Sequence, residues 1–318
     1  MCIPNPSSVE IASCIADWYA AQDPSRFQFH TGETVTSIDT EKHTVTTDKG
    51  RTTRYDYCVL ATGSDAVLPG FASASVEGIF VYRNISDLNK LLDYSQTEGV
   101  KGKPVRNFFM ACVSPYLRVY IQVAVIGGGL IGLEAAKALY DLEEVGSVTI
   151  IHRQNYPLSR QLDAAGGEIV LRRIEALGVR VLGNVSPNAL LTEEVDGREV
   201  LTGIELNDGV IVPCSIAVFS VGIRPRDDLA ISAGIKCEGD NQGGKGIAID
   251  EYLETSAKDV YAIGECASWK GQTYGLIAPG IEMADILSFN LTQVDTDVGG
   301  FVARKLVYFL TFQYNSVF

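Results

Sequence analysis

Gly127, Gly129 and Gly132 stand at G-x-G-x-x-G spacing, and their neighbours decide what that spacing means. Before them, Val123 to Gly127 (VAVIG) is a short apolar run suited to a buried parallel strand. After them, Leu130, Leu133, Ala136, Ala138 and Leu139 mark a helix that packs on a sheet. In that setting each glycine has its own task. Gly127 permits the strand-to-helix turn, Gly129 lets the backbone approach a pyrophosphate, and Gly132 lets the helix lie close to the strand. The phosphate charge then meets the N–H groups of the helix start. The stretch Gly127, Gly128, Gly129, Leu130, Ile131 and Gly132 is therefore predicted to hold a dinucleotide.

The nucleotide's identity has a local signal. A site selective for NAD carries Asp or Glu about 20 residues past the glycines, bonded to the ribose 2′-OH. Here that position is His152, followed by Arg153, with Arg160 a further candidate to assist. A cation there suits a 2′-phosphate, so the pattern admits NADPH beside NADH.

Other elements must position this turn. Residues 9–22 have helical periodicity, and residues 27–57 alternate like a small antiparallel meander. Tyr57 to Gly63 (YCVLATG) is an apolar strand ending in Ala61-Thr62-Gly63. Leu88, Leu91 and Leu92 suggest a short helix. Beyond the glycine turn, a strand is expected over Val148 to Ile151. A helix over 163–177 should turn Ile169, Val170, Ile174 and Leu177 inward. A further strand covers Val179 to Leu182. Residues 188–213 read as hairpins turning at Asp196-Gly197 and Asn207-Asp208-Gly209. Ser215 to Val221 is a buried strand closed by Gly222-Ile223-Arg224-Pro225. Val260 to Glu265 (VYAIGE) is a last strand, and a last helix should start after Pro279-Gly280.

Composition narrows the function classes. At 318 residues there is room for two domains, and a net charge of −13 is the wrong sign for a nucleic-acid surface. No run approaches the roughly 20 apolar residues of a spanning helix. The N-terminus has neither the basic start nor the apolar core of a signal peptide. Seven cysteines without a C-x-x-C pair, and three histidines away from them, give neither a disulfide framework nor a metal site. A reducing, cytoplasmic home without a membrane or nucleic-acid partner is expected.

The order of these signals carries a resemblance. Ala61-Thr62-Gly63, the glycine turn, Gly222-Ile223-Arg224-Pro225, and Thr255 with Val260 to Glu265 follow one another as in two-dinucleotide-binding-domain flavoproteins. The chain looks closest to the FAD/NAD(P)H module of fungal-type assimilatory NAD(P)H nitrite reductases, enzymes of nitrate assimilation. The residues that carry this are Tyr57 to Gly70, Val125 to Ala136, Leu158 to Asp163 and, above all, Val260 to Gln293, with Gly-Glu-Cys-Ala at its strand end. The resemblance implies an α/β fold with two Rossmann-like domains. An FAD-type domain, 1–103 and 225–293, is split around an NAD(P)H domain, 123–224. It implies that hydride passes from NAD(P)H to FAD and that electrons go on to an iron–sulfur/sirohaem acceptor. Thr62, Gly63, Gly222, Gly264 and Glu265 would then be cofactor contacts, and Glu134 would lie near the nicotinamide. The helix start at Pro279 and Gly280 would face the flavin ring, where its partial positive charge favours the reduced anion. Glu265 could accept from a ribityl hydroxyl. No protein nucleophile or acid–base pair is named, because the flavin carries the chemistry.

The chain also departs from that family. No second G-x-G-x-x-G precedes Thr62, no redox cysteine pair exists, and cysteine ligands for an iron–sulfur centre are absent. On this reading the chain does not reduce nitrite by itself. Residues 104–122 and 294–318 match no pattern of the family and read as translated intron. Two further readings stay open: an NAD(P)H-binding remnant without flavin or activity, and a stand-alone ferredoxin- or rubredoxin-type reductase.

Overall fold

The computed structural model describes Asp17, Tyr19 and residues 21–97, 120–239, 243–293 and 303–306. The first part forms β1 (Val35–Asp39), β2 (Thr44–Thr47), β3 (Thr52–Arg54) and β4 (Cys58–Leu60). Then come β5 (Ser64–Ala66), β6 (Ile79–Val81), α1 (Ile85–Ser95), β7 (Ile121–Ile126), α2 (Leu130–Tyr140), β8 (Val145–Ile151) and α3 (Ala164–Ala176). They are followed by β9 (Arg180–Leu182), β10 (Pro187–Val195), β11 (Arg198–Leu206), β12 (Ile211–Pro213), β13 (Ile216–Phe219) and β14 (Ile223–Pro225). The last part forms α4 (Asp228–Ser232), β15 (Ile247–Ile249), β16 (Val260–Ala262), β17 (Ala267–Trp269), β18 (Gln272–Thr273) and α5 (Ile277–Gln293). The chain divides into a split unit, up to Ser64 and again from Pro225, and a continuous unit, Asp65–Arg224.

The continuous unit is built on a five-stranded sheet of order β6-β13-β7-β8-β9, parallel throughout. Strand β7 shows why. Its residues are buried on both faces, as a near-continuous apolar run requires. Val123 and Val125 pack with Ala135, Ala136 and Leu139 of α2, while Ala124 and Ile126 pack with Leu201, Ile204 and Leu206 of β11. One face thus carries helices and the other the antiparallel sheet β10-β11-β12. The β10–β11 turn has Asp196 at φ 52° and Gly197 at φ 74°, the left-handed pair that a two-residue hairpin needs. Helix α1 opens with a capping box between Asn84 and Asp87.

Several expectations are corrected here. Residues 65–97 go with the continuous unit, because β6 pairs in parallel with β13. Ile121, expected within the atypical stretch 104–122, is 1% exposed and opens β7. In α3, Ile169 is 70% exposed and Leu177 is also exposed, so the inward face is narrower than periodicity suggested; Gly167 fills it, close against the Tyr156 ring. In α2, Leu130 and Ala138 face outward and Ala135 faces inward. Most of the helix expected over 9–22, and most of 104–122 and 294–318, lie outside the described residues. Leu306 in the last of these is fully buried with Leu253, Met283 and Leu287, and its N–H donates to Glu251 O at 2.9 Å.

In the split unit, β1-β2-β3 form the expected antiparallel meander. β4 and β16 pair in parallel, Val260 opposite Cys58 and Ala262 opposite Leu60. Leu60, Val260 and Ala262 pack there with Ala230, Ile235 and Cys266. Among the described residues no helix is long and apolar enough to cross a membrane, and no group of side chains is placed to hold a metal ion.

Candidate nucleotide sites

In the continuous unit, β7 runs straight into the glycine turn. Gly127 N–H continues the ladder to Ile151 O at 2.9 Å, and Ser220 N–H donates to Ile126 O at 2.8 Å. Gly127 has φ +118°, a conformation that side chains rarely adopt, and a Cβ built there would strike Ser220 O. A Cβ at Gly132 would strike Gly127 O, so helix and turn touch backbone to backbone. Gly129 differs. It caps α2 at φ −82° and ψ −178°, an ordinary extended conformation, and a Cβ there meets nothing within 4 Å. Two of the three glycines are therefore needed for packing, and the third faces open space above the helix start. The first N–H groups of α2, including those of Leu130 and Ile131, have no partner inside the helix by construction. This arrangement fits a pyrophosphate.

Gly128 is held on both sides. Its N–H donates to His152 Nδ1 at 3.1 Å, and its carbonyl accepts from Leu158 N–H at 2.8 Å. His152 follows β8 directly, and its ring is half-buried with Nε2 fully covered. Burial holds the imidazole below its usual range, the Tyr156 backbone opposes this, and the charge of Arg153 adds to it. Arg153, Arg160 and Glu134 are exposed. Gly222, just past β13, accepts from Val67 N–H at 3.0 Å.

In the split unit, Thr62 Oγ1 donates to Arg226 O at 2.6 Å, and Arg226 N–H donates to Gly63 O at 2.9 Å. Ser64 Oγ donates to Glu265 Oε2 at 2.7 Å. Glu265 lies in a short 3₁₀ turn, Gly264–Cys266, rather than in the strand expected to include it. Helix α5 begins at Ile277, two residues before Pro279, so Pro279 and Gly280 form its first turn instead of preceding it. Pro is tolerated there because first-turn N–H groups have no intrahelical partner. That turn abuts the β16 end: a Cβ at Gly280 would lie 3.5 Å from Gly264 Cα, and Gly264 N–H approaches Met283 Sδ at 3.3 Å. Leu276, Ile277 and Ile281 leave apolar surface exposed around the same helix start. A strand-end carboxylate beside a helix N-terminus with apolar cover fits the ring and ribityl end of a flavin.

Sequence reading missed the residue that braces this unit. Asp227 is 0% exposed, and its carboxylate accepts three backbone N–H groups, from Gly244 at 2.7 Å, Lys245 at 3.1 Å and Gly246 at 2.9 Å. The one available signal was its place just after the Gly-Ile-Arg-Pro segment. Ser64, the partner of Glu265, was likewise passed over as loop.

Comparison with known proteins agrees with this geometry. The model of the pyridine nucleotide-disulphide oxidoreductase family matches residues 7–285. NAD(P)H nitrite reductase of Emericella nidulans is 43% identical over 282 residues, covering 88% of this chain and 23% of that protein. The Bacillus subtilis NAD(P)H nitrite reductase is 33% identical, over 88% of this chain and 30% of that protein. The chain thus spans less than a third of the length of these relatives. The ferredoxin reductase for the CYP199A2 system of Rhodopseudomonas palustris superposes with a TM-score of 0.68 at 22% identity, over 91% of this chain and 66% of that one, and bears on the fold.

Proposed function

The chain belongs to the pyridine nucleotide-disulphide oxidoreductase family, and from that premise we propose that it is the electron-entry module of a nitrite-reductase-like system, taking electrons from NAD(P)H through FAD to a separate acceptor. The observation that carries the reading is the division of labour among the three glycines: Gly127 and Gly132 are closed by backbone, and Gly129 is open at a helix start. When bound, the two cofactors supply a hydride donor and a two-electron acceptor, which is the whole of the redox chemistry.

The residues of this chain bind and orient. The N–H groups at the start of α2 neutralise a pyrophosphate. Arg153 and Arg160, both exposed beside the turn, offer charge to a 2′-phosphate, so NADPH is accepted as well as NADH. Glu134, on the first turns of α2, would lie near the nicotinamide. In the split unit Ser64 fixes Glu265, whose carboxylate would accept from a ribityl hydroxyl. The α5 N-terminus would favour negative charge on a reduced ring, and Ile277 and Ile281 would exclude water from it. The acceptor would be an iron–sulfur/sirohaem region, as the resemblance to nitrite reductases implies, and the setting cytosolic.

Dye reduction tests this. The purified chain with added FAD should reduce ferricyanide at the expense of NADPH or NADH, and should leave nitrite untouched. Nucleotide binding without FAD-dependent dye reduction would sink the proposal in favour of a flavin-free binding module. A second reading, a stand-alone rubredoxin-type reductase, draws on the NADH-rubredoxin oxidoreductase of Clostridium acetobutylicum, 26% identical over 92% of this chain and 63% of that protein. Rapid reduction of added rubredoxin would favour it.

A further inference from the structure

We propose that His152 is the positioning residue of the glycine turn: as a neutral imidazole it accepts the Gly128 N–H through Nδ1, and its protonation loosens the turn and weakens dinucleotide binding. This rests on the nucleotide reading of that turn and gives His152 a task different from the cationic one suggested by its place in the sequence.

Three observations carry it. First, the ring packs on the turn itself. A Cβ built at Gly128 would lie 2.9 Å from His152 Cγ and 3.1 Å from Nδ1, so Gly128 is small because the imidazole occupies its side. Second, the backbone that carries the imidazole is anchored on both sides. His152 N–H donates to Leu182 O at 2.8 Å, and its carbonyl accepts from Val185 N–H at 3.3 Å. Third, Gly128 is clamped from the opposite direction by Leu158, which takes φ +56° to place its N–H 2.8 Å from Gly128 O. Gly128 N–H is thus spent on the imidazole and not on a phosphate. The N–H groups that follow are aimed by it.

The chemistry of the bond fixes the protonation state. An Nδ1 that accepts has no hydrogen, so the neutral ring carries its proton on Nε2. The imidazolium has hydrogens on both nitrogens and cannot accept. Its Nδ1–H would face the Gly128 N–H, donor against donor. The charged group acting on the ring is Arg153, which also disfavours a second positive charge. The two side chains divide the work: His152 is neutral and sets the turn, and exposed Arg153 supplies charge.

The sign of the pH dependence separates this from a cationic role. If His152 were a cation for the 2′-phosphate, acid would tighten NADPH and leave NAD⁺, which lacks that group, unchanged. If it is the neutral acceptor, acid weakens both. NAD⁺ is the probe, because a 2′-phosphate itself titrates near about pH 6. For the full chain, titration calorimetry should show the NAD⁺ dissociation constant rising roughly fivefold from pH 7.5 to 5 as the imidazole takes up its proton. His152→Asn presents an amide oxygen that accepts at any pH. It should bind near the wild-type level at pH 7.5 and lose the acid weakening. His152→Leu should bind about tenfold more weakly at pH 7.5, the loss expected when one buried N–H is left unpaired. Nitrogen-15 spectra of labelled histidine should show His152 Nδ1 unprotonated at pH 7.5. A protonated Nδ1, or NAD⁺ binding that tightens or stays constant on acidification, would overturn the proposal while leaving the nucleotide site standing. Failure of the wild-type chain to bind NAD⁺ or NADPH at any pH would refute the site and this proposal with it.

Discussion

Valine at Gly129 should weaken nucleotide binding roughly a hundredfold and leave the fold nearly intact, whereas alanine at Gly132 should destabilise the fold. The contrast comes from the space around each position. Gly129 has φ −82°, which any residue adopts, and no atom lies within 4 Å of its would-be Cβ. The remaining cost is that of an apolar N-cap, about 1 kcal/mol or less. The same side chain would stand where a phosphate must approach the start of α2. Losing two charge-assisted hydrogen bonds at about 1.5 kcal/mol each predicts roughly a hundredfold weaker binding. At Gly132, one methyl group strikes the carbonyl oxygen of Gly127, backbone that cannot swing aside. Overpacking of that kind costs about 1–3 kcal/mol or more. Calorimetric titration with NADPH gives the affinities, and thermal melts give the stabilities. A Gly129→Val chain that melts normally and binds NADPH with unchanged affinity would refute the placement of the site. A Gly132→Ala chain as stable as wild type would refute the packing argument.

Further outcomes follow from other residues. Asp227→Ala leaves three N–H groups of the Gly244–Gly246 backbone without their acceptor; a loss of about 3 kcal/mol is expected in urea unfolding, and a change under about 0.5 kcal/mol would contradict the bracing role. Ser64→Ala frees the Glu265 carboxylate from its 2.7 Å bond; FAD affinity should fall about tenfold, read by flavin fluorescence, with NADPH affinity unchanged. Burial pushes the Cys214 and Cys237 thiols up to about 12. At pH 8 neither should react with iodoacetamide until the chain is unfolded, as peptide mass mapping would show, and labelling of either in the native protein would count against the described core. Burial of neutral His152 lowers its pKa in the folded state. Its contribution to stability is complete above the ordinary imidazole value of about 6.5 and is lost as pH falls through the lower folded value. His152→Asn should flatten that acid limb in melts between pH 7.5 and 5.

The glycine turn was legible because its signal is local: three glycines, one strand and one helix, all within Ile121–Tyr140. Strand β7 and helix α2 needed no distant partner to be recognised. The His152–Gly128 bond joins residues 24 apart in sequence, and nothing in residue type distinguishes a histidine that accepts from one that carries charge. The same is true of Ser64 and Glu265, separated by 201 residues, and of Asp227 with the 244–246 backbone. Such pairings exist only once the chain has closed on itself. Helix α3 failed differently. Its period suggested a broad apolar face, but the sheet covers only part of it, and Ile169 is left outside. The start of α5 was placed too late because Pro279 reads as a boundary, although a first-turn proline breaks no helical hydrogen bond.

The central claim is that one chain binds both cofactors and passes a hydride between them. The most direct measurement is the visible absorption spectrum of the purified chain with FAD under anaerobic conditions, before and after one equivalent of NADPH. A protein-bound flavin band that bleaches on adding NADPH is the predicted result. A band that persists while NADPH is bound, or a protein that retains no flavin after desalting, would contradict it.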